Sequence, residues 1–507
     1  MNNNMSKYFR QKRFVAIAAI ATIMGSVALS GCSKNWTNSA DALVGTADVK
    51  NFWATADAAA AGRAVNSIYA NLRSWNNVAV ASACLENVGS DDAIKGSTAT
   101  DATYFNLYDN FTVDASEGQL DGFWTGQYQN INLCNQVIDN VPNISMDATL
   151  KARYIAEAKF VRAYSYFRLE RAFGSIPLVL AVPSGAGLNP AQSTPKQVWA
   201  AIEQDLNDAA SVLPVNYGAA DIGRATRGAA LSLHAKVALY RSQWSDVVNY
   251  TNQVTALGVY ALFPDFYGMF RIANENCVES IFEIQCNYVN GNSLLSNSQY
   301  SQIQGNRDAN AGWGLNIPTQ DLINTFETGD PRLTGTVMFA GTTTPSGDAV
   351  PLASAGAPTV YNMKAYVPFA LALADNQGAD QNIRVLRYAD VLLMNAEANA
   401  QLGNTSAALA SLEMVRARAR AQSSSPSTTL PKITTTTQSA LLTAILHERR
   451  VELAMENERY FDLIRTGNAA SVLGPLGWKS GKNEYWPIPQ VEIDNSGGIL
   501  KQNPGYN

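Results

Sequence analysis

"ATRGAALSLHAKVALYRSQWSDVVNYTNQVTALG", residues 225–258, reads as two helices within 34 residues. Ala229, Ala230, Ala235 and Ala238 give the first a run of small side chains, and the second follows Gln243-Trp244. Small residues let helices approach closely, and a helix–turn–helix unit of about 34 residues is the tetratricopeptide period. "RYADVLLMNAEANAQLGNTSAALASLEMVRARA" (387–419) repeats the arrangement, with Leu402-Gly403 closing one helix and Thr405-Ser406 opening the next. The units are separated rather than tandem. The fold class read from them is all-α: a tetratricopeptide-like scaffold of helical hairpins, with few short strands.

Two further segments carry helical periodicity. In "TPKQVWAAIEQDLNDAASVLP" (194–214), Thr194 can cap, Pro195 suits the first helical position and Gln197 completes a capping box. Val198, Ile202, Leu206 and Leu213 then lie near one face. In "RYIAEAKFVRAYSYFRLERAFG" (153–174), Ala156, Phe160, Ala163, Tyr164 and Phe167 make a similar stripe, stopped by Gly174 and Pro177. Between the helical segments lie long stretches rich in Gly, Asn, Ser and Thr, at 291–319 and 339–360. Loops of that length inside a compact protein are usually functional or disordered. "SSSPSTTLPKITTTTQS" (423–439) reads as a surface connector between two helices.

The N-terminus carries a different signal. Lys7, Arg10, Lys12 and Arg13 precede an apolar run of 16 residues from Phe14 to Leu29, the layout of a secretory signal peptide. A spanning helix needs about 20 apolar residues, so the run is short for a permanent anchor. Leu29-Ser30-Gly31-Cys32 resembles a bacterial lipobox, which makes Cys32 the expected lipidation site, residues 1–31 the signal and 32–50 a tether. Two or more acyl chains hold a protein on a membrane where one holds it only marginally. The residues after Cys32 are Ser33-Lys34-Asn35-Trp36, and the first acid is Asp41.

Loss of the signal leaves 33 basic residues against 42 acidic, a formal charge of −9. Phosphate neutralisation needs a basic patch, so a nucleic-acid partner is not expected. Cys84, Cys134, Cys277 and Cys286 form no C-x-x-C pair and read mostly as small buried side chains, with Cys277 and Cys286 the only close pair.

Catalytic patterns are sparse. His234 and His447 are the only histidines, and each lies inside a helical pattern. No metal site is expected from them, nor a cofactor, and neither a phosphate-binding loop nor a serine-hydrolase elbow occurs. "HERRVELAMENERYFDLIRTG" (447–467) reads as a solvated or ion-paired helix. A glycoside-hydrolase carboxylate pair is not excluded by pattern, because spacing in space is invisible in one chain. "GSDDAIKG" (89–96) is the most suggestive acidic element: Asp91 and Asp92 in a Gly-flanked loop can accept hydrogen bonds from sugar hydroxyls, or Ser90 and Asp91 can cap a turn. Nine tryptophans and 21 tyrosines suit a carbohydrate binder, since a sugar's apolar face stacks on flat rings. Trp199, Trp244 and Trp486 read as core, whereas Trp75, Tyr300 and Trp313 fall in loops and are the better candidates.

The chain resembles the SusD/RagB family of outer-membrane nutrient-binding lipoproteins. The matching stretches run in order: "GSDDAIKG", "FWTGQYQNINLCNQVI", "AEAKFVRAYSYFRLERAFGSIPLV", "VWAAIEQDLNDAASVLP", "GRATRGAALSLHAKVALY", "ESIFEIQ", "PTQDLINTFETGDPRL", "IRVLRYADVLLMNAEA", "HERRVELAMENERYFDLIRTG" and "YWPIPQVEIDNSGGILKQNPGY". They span about 50–507, which implies one SusD-like domain over 51–507 with an N-terminal part at about 51–240 and a C-terminal part at about 270–507. The resemblance implies a helical scaffold whose loop-rich region binds oligo- or polysaccharide without catalysis. It also implies a SusC-like TonB-dependent transporter over which the lipoprotein sits as a hinged lid. Some relatives capture peptides, which makes a peptide-binding lipoprotein the alternative. Carried over residue by residue are Asp91, Asp92, Trp313 and Arg384, the last able to donate in fork geometry to vicinal hydroxyls or to pair inside the scaffold. Surface-exported members often carry acids just after the lipidated cysteine, and here they come later. Outer-membrane attachment is therefore the firmer expectation, and display to the exterior, also expected, is the weaker one.

Overall fold

The structure is a computed structural model that describes residues 49–182, 190–287, 299–372 and 379–506. The signal, Cys32 and most of the 32–50 tether lie outside the described residues, as does the start of the 291–319 loop.

Helices arise where the caps and breakers place them. Asp57 accepts from the Ala60 amide and opens α1 (Ala58–Leu72). A short α2 (Trp75–Val78) follows, and a π-helical turn (Ala83–Val88) leads to β1 (Ala93–Gly96). After α3 (Gly118–Asn140) comes α4 (Ala148–Phe173), capped by Asp147 and ended by Gly174 at φ +70°. A Cβ at Gly174 would meet the Tyr485 ring at 2.9 Å, so the stop needs glycine on both counts. The predicted capping box is present: Thr194 and Gln197 each satisfy the other's backbone at the start of α5 (Pro195–Val212).

The hairpin at 225–258 is α6 (Arg227–Tyr240) and α7 (Trp244–Ala256). Its counterpart, after β2 (Ser280–Ile284), α8 (Tyr300–Gln304), β3 (Leu315–Pro318), β4 (Val337–Phe339), β5 (Val360–Asn362) and β6 (Ile383–Arg387), is α9 (Tyr388–Gln401) and α10 (Thr405–Ala421). Beyond the 423–437 connector stand α11 (Gln438–Glu452) and α12 (Arg459–Arg465). Neighbours in the stack are α3 on α4, α4 on α5, α5 on α6, α6 on α7, α7 on α9, and α9 on both α10 and α11. The two hairpins, separated in sequence, are thus joined through α7 and α9. The expected all-α, tetratricopeptide-like architecture is the one observed. Among the described residues strands pair only in twos, all antiparallel: β1 with β3, β2 with β6, β4 with β5, and the two-residue strands Ile176–Pro177 and Gln192–Ser193 with each other. The stretch 339–360 is accordingly the connection of the β4–β5 hairpin.

Burial departs from the sequence expectation in α4. The apolar stripe is too narrow a description, because every residue from Phe160 to Phe173 is buried, including Arg162, Arg168, Glu170 and Arg171. The charges are paired across elements: Arg162 holds Asp205 of α5 at 2.7 Å, and Arg168 holds Glu86 of the π-turn at 2.5 Å. The 447–467 stretch is ion-paired rather than solvated. Glu448, Arg449 and Glu452 are at most 1% exposed, and Arg449 bridges Asp390 and Asp462. His234 is stacked on Tyr250 with ring centroids 3.9 Å apart, and burial holds its pKa down at about 4. The four cysteines among the described residues are free thiols.

Glu170 stands apart from these pairs. Burial pushes its carboxyl up to about 8, only partly opposed by a hydrogen bond from Trp199 and by Arg171 and Arg241. A raised carboxyl favours the folded state below its unfolded value of about 4.3 and loses that advantage as pH climbs toward 8. Glu170→Gln is therefore expected to leave the melting temperature unchanged near pH 4 and raise it near pH 8. The gain is large enough to read, because each tenfold change in a proton-binding constant corresponds to about 1.4 kcal/mol. Thermal melts of both proteins across that range check the slope.

Candidate functional site

The pairing of β1 with β3 brings together loops from opposite halves of the chain. Ala93, Ile94 and Gly96 lie opposite Pro318, Ile317 and Leu315. Gly96 sits at φ +74°, and a Cβ there would come within 2.3 Å of the Gly314 carbonyl oxygen. The close approach lets the Ser97 amide donate to that same carbonyl at 2.6 Å. Beside it, Trp313 meets Trp75 at the start of α2, their ring centroids 5.9 Å apart and their planes at 54°. Trp75 is 36% exposed, which is unusual for so large an apolar side chain, and Trp313 is half-buried. Two of the three aromatics chosen from sequence therefore form one partly exposed pair, although Trp75 and Tyr300 each open a short helix where loops were expected.

Polar groups gather on the turns that meet at Gly314, next to Trp313 in the chain. Arg307 donates to the Ser97 hydroxyl at 3.0 Å and to Asp101 at 3.1 Å, and both charged side chains are about two-fifths exposed. Exposed Asn310 lies between Arg307 and Trp313 in the same loop. Nothing in the sequence singles out Arg307, Asp101 or Ser97. "GNRDANAG" and "GSTATDA" look like ordinary polar turns, and only the β1–β3 register places them side by side.

The other candidates lie elsewhere. Asp91 forms a two-point pair with Arg459, 2.8 Å at each oxygen, and also meets Arg450 at 2.9 Å. Burial opposes ionisation of Asp91, but these two guanidiniums more than offset it and hold its carboxyl below the usual range. Asp92 is wholly buried, and burial, reinforced by the Asp91 charge, pushes its carboxyl up despite Arg450 at 2.7 Å. Arg450 reaches on to exposed Asp321 at 2.6 Å. Arg384 is 9% exposed and donates to the carbonyls of Asn382, Met269 and Arg271 at 2.8, 2.8 and 3.1 Å, with Glu283 at 3.3 Å from its Nε. Tyr300 and Arg384 share a cavity of about 50 Å³ with Asn77, Lys236 and Glu456. Burial pushes the Tyr300 phenol up to about 12. The structure thus unites Trp75 with Trp313, unites Tyr300 with Arg384, and sets Asp91 and Asp92 in an arginine cluster.

A larger cavity of about 220 Å³ opens between the turn before α6 and the turn before β2. Several of its polar side chains are engaged internally: Tyr217 donates to the Ala225 carbonyl, Tyr260 pairs with Thr226, and Asn276 exchanges two hydrogen bonds with Gln285. Among the described residues there is no group of three His, Cys, Asp or Glu side chains able to hold a metal ion, and no helix is long and apolar enough to cross a membrane.

Comparison with known proteins agrees with this architecture. One family model, described as the SusD family, matches residues 278–506, and another, described as starch-binding associating with outer membrane, matches 48–239. SusD-like protein P2 of Formosa agariphila is 29% identical over 429 residues, covering 78% of this chain and 83% of its own. A SusD-like protein of Bacteroides ovatus is 27% identical over 399 residues, covering 70% and 67%. Among solved structures, a laminarin-binding SusD-like protein superposes with a TM-score of 0.77 at 27% identity, over 89% of this chain and all of the other. Surface glycan-binding protein A of Bacteroides thetaiotaomicron, solved with laminarihexaose, shares the fold at a TM-score of 0.74 and 24% identity, over 88% of this chain and 100% of that one. Matched in both halves by models of one family, with the fold of its solved members, the chain is a SusD-like protein.

Proposed function

We propose that the protein is a noncatalytic glycan-binding lipoprotein, anchored through Cys32 to the outer membrane and facing the exterior. In this reading it captures oligo- or polysaccharide and passes it to a SusC-like TonB-dependent transporter, which it covers as a lid. The observation that carries the reading is the partly exposed Trp75–Trp313 pair, with Arg307, Asp101 and Ser97 on the turns that meet at Gly314, the residue after Trp313. Flat rings offer stacking surface to the C–H face of a sugar, and the ion pair on these turns offers both donors and acceptors to its hydroxyls. Asp91, Asp92 and Arg384 then serve the frame: their polar atoms face arginines and main-chain carbonyls, not solvent. The same engagement argues against a hydrolase, since an acid–base pair needs carboxylates free to exchange a proton with substrate. The laminarin-binding relative makes a β-glucan the first ligand to test.

The test uses residues 33–507 as a soluble chain in native gels cast with laminarin and a panel of other polysaccharides, with chromatography of the same mixtures for released sugars. Retardation by a polysaccharide without products is the expected result. Released sugars overturn the noncatalytic reading, and retardation by none, with peptides bound instead, overturns the glycan reading.

A further inference from the structure

Four buried side-chain amides link the segments that carry the tryptophan pair. Asn87, in the π-turn, donates to Asn316 at 2.9 Å, and Asn316, on β3, donates to Gln304 at 2.8 Å. The same Gln304 oxygen accepts from Asn362 of β5 at 2.7 Å, while the Gln304 amide group donates to the Tyr300 carbonyl at 2.9 Å. All four residues are no more than 2% exposed. Burying amides is unfavourable unless they are paired, and apolar side chains of the same size would fill this space without that requirement. A connected polar chain rigidifies and fixes one arrangement of the segments it joins.

The segments it joins carry the aromatics. Asn87 ends the stretch that begins with Trp75 at α2, Asn316 stands three residues after Trp313, and Gln304 shares α8 with Tyr300. No backbone-to-backbone hydrogen bond joins residues 75–88 to residues 299–318 among the described residues. The Asn87–Asn316 contact therefore adds a side-chain crossing on the Trp75 side of the β1–β3 ladder, which joins the same two segments through the main chain at residues 93–97 and 314–318. Asn316 also holds a left-handed backbone, φ +53°, and the Asn87 amide lies 3.9 Å from the sulfur of Met455, itself at φ +63°. Backbone conformations of this kind persist where the surroundings over-determine them.

We infer that the amide chain Asn87–Asn316–Gln304–Asn362 positions the Trp75–Trp313 pair, with Asn316 as its central positioning residue. The chain touches no ligand; it acts by fixing the spacing and tilt of the two rings before a ligand arrives, so that less ordering is required on binding. The inference rests on the glycan-binding reading for its affinity readout, and its optical readout is independent of any ligand.

Asn316→Gly isolates the side chain, because glycine takes φ +53° without strain and the β3 backbone keeps its course. Two indoles this close couple excitonically, and the tilt between them sets the resulting circular-dichroism couplet. Trp75→Phe assigns that couplet in the parent protein. In Asn316→Gly the couplet is expected to weaken by half or more, and laminarin affinity to fall about tenfold, with the cooperative thermal transition retained. Gln304→Met, which keeps the volume and removes the shared acceptor, is expected to act in the same direction and replaces Asn316→Gly if that variant does not fold. A folded variant with the couplet and the affinity of the parent overturns the inference. A weakened couplet in a protein whose parent binds no polysaccharide supports the positioning role and overturns the glycan reading instead.

Discussion

Trp313→Ala is expected to weaken laminarin binding about 30-fold, or about 2 kcal/mol, the cost of truncating a central aromatic anchor. The ring is one half of the only tryptophan–tryptophan contact among the described residues. Its removal takes away stacking surface and also frees the Trp75 ring to turn. Because Trp313 also packs on the core, some loss of thermal stability is expected with it. Trp75→Ala separates the two effects. Trp75 is the more exposed partner, at the start of a four-residue helix, so its removal should lower affinity comparably with little change in melting temperature. The double variant should lose less than the sum of the singles, since neighbours in contact are not additive. Isothermal titration of the three variants with laminarihexaose or laminarin checks the series, and an unchanged affinity in both singles would remove this surface from the binding account.

The largest stability effect is expected at Glu452. Its carboxylate is fully buried and meets three guanidiniums: Arg387 at 2.6 Å, Arg332 at 3.1 Å, and Arg418. Burial acts against the charge, yet Arg418, Arg387 and Arg332 together hold the carboxyl far below its usual range. Glu452→Gln leaves three arginines around a neutral amide, and breaking a buried pair in this way costs about 3–5 kcal/mol. The linkage has a definite sign. A depressed carboxyl contributes stability that is present above its unfolded value, about 4.3, and is lost as pH falls below it. Thermal melts should therefore show a large deficit for Glu452→Gln at pH 7 that narrows as pH falls below about 4. A variant as stable as its parent at pH 7 would show that the arginines pair equally well without Glu452.

The helical hairpins are legible in the sequence because their signals are local. The 34-residue period, the Thr194 capping box and the Gly174 stop each depend on residues close together in the chain. The charges of 447–467 are half legible: alternation with apolar residues suggests pairing, but nothing in one helix tells whether its partners are solvent or Arg332, Arg387 and Arg418 from distant elements. The site divides along the same line. Trp75 and Trp313 can be chosen as loop aromatics, yet their contact follows from the β1–β3 register. Asp91, Asp92 and Arg384 look like hydrogen-bonding groups on a loop and a strand. The Arg459 that holds Asp91 is 368 positions away and the Met269 carbonyl that holds Arg384 is 115 away, so neither partner is visible as a pattern. Arg307 and Asp101 are invisible for the converse reason: each turn is unremarkable until it lies beside the other.

Asn87 and Asn316 are 229 positions apart, and β1 pairs with β3 over a similar separation. Contacts of that range carry a larger loop-closure cost than those within a helical hairpin. While the chain is being made, helices α1 to α7 precede the segment that carries Trp75's companion ring. On the proposed reading the surface is complete only when the segment from residue 299 onward has docked, and a chain cut short before it would carry one ring of the pair. If the tryptophan pair binds polysaccharide as proposed, capture requires both of these segments in place and so reports that they have docked.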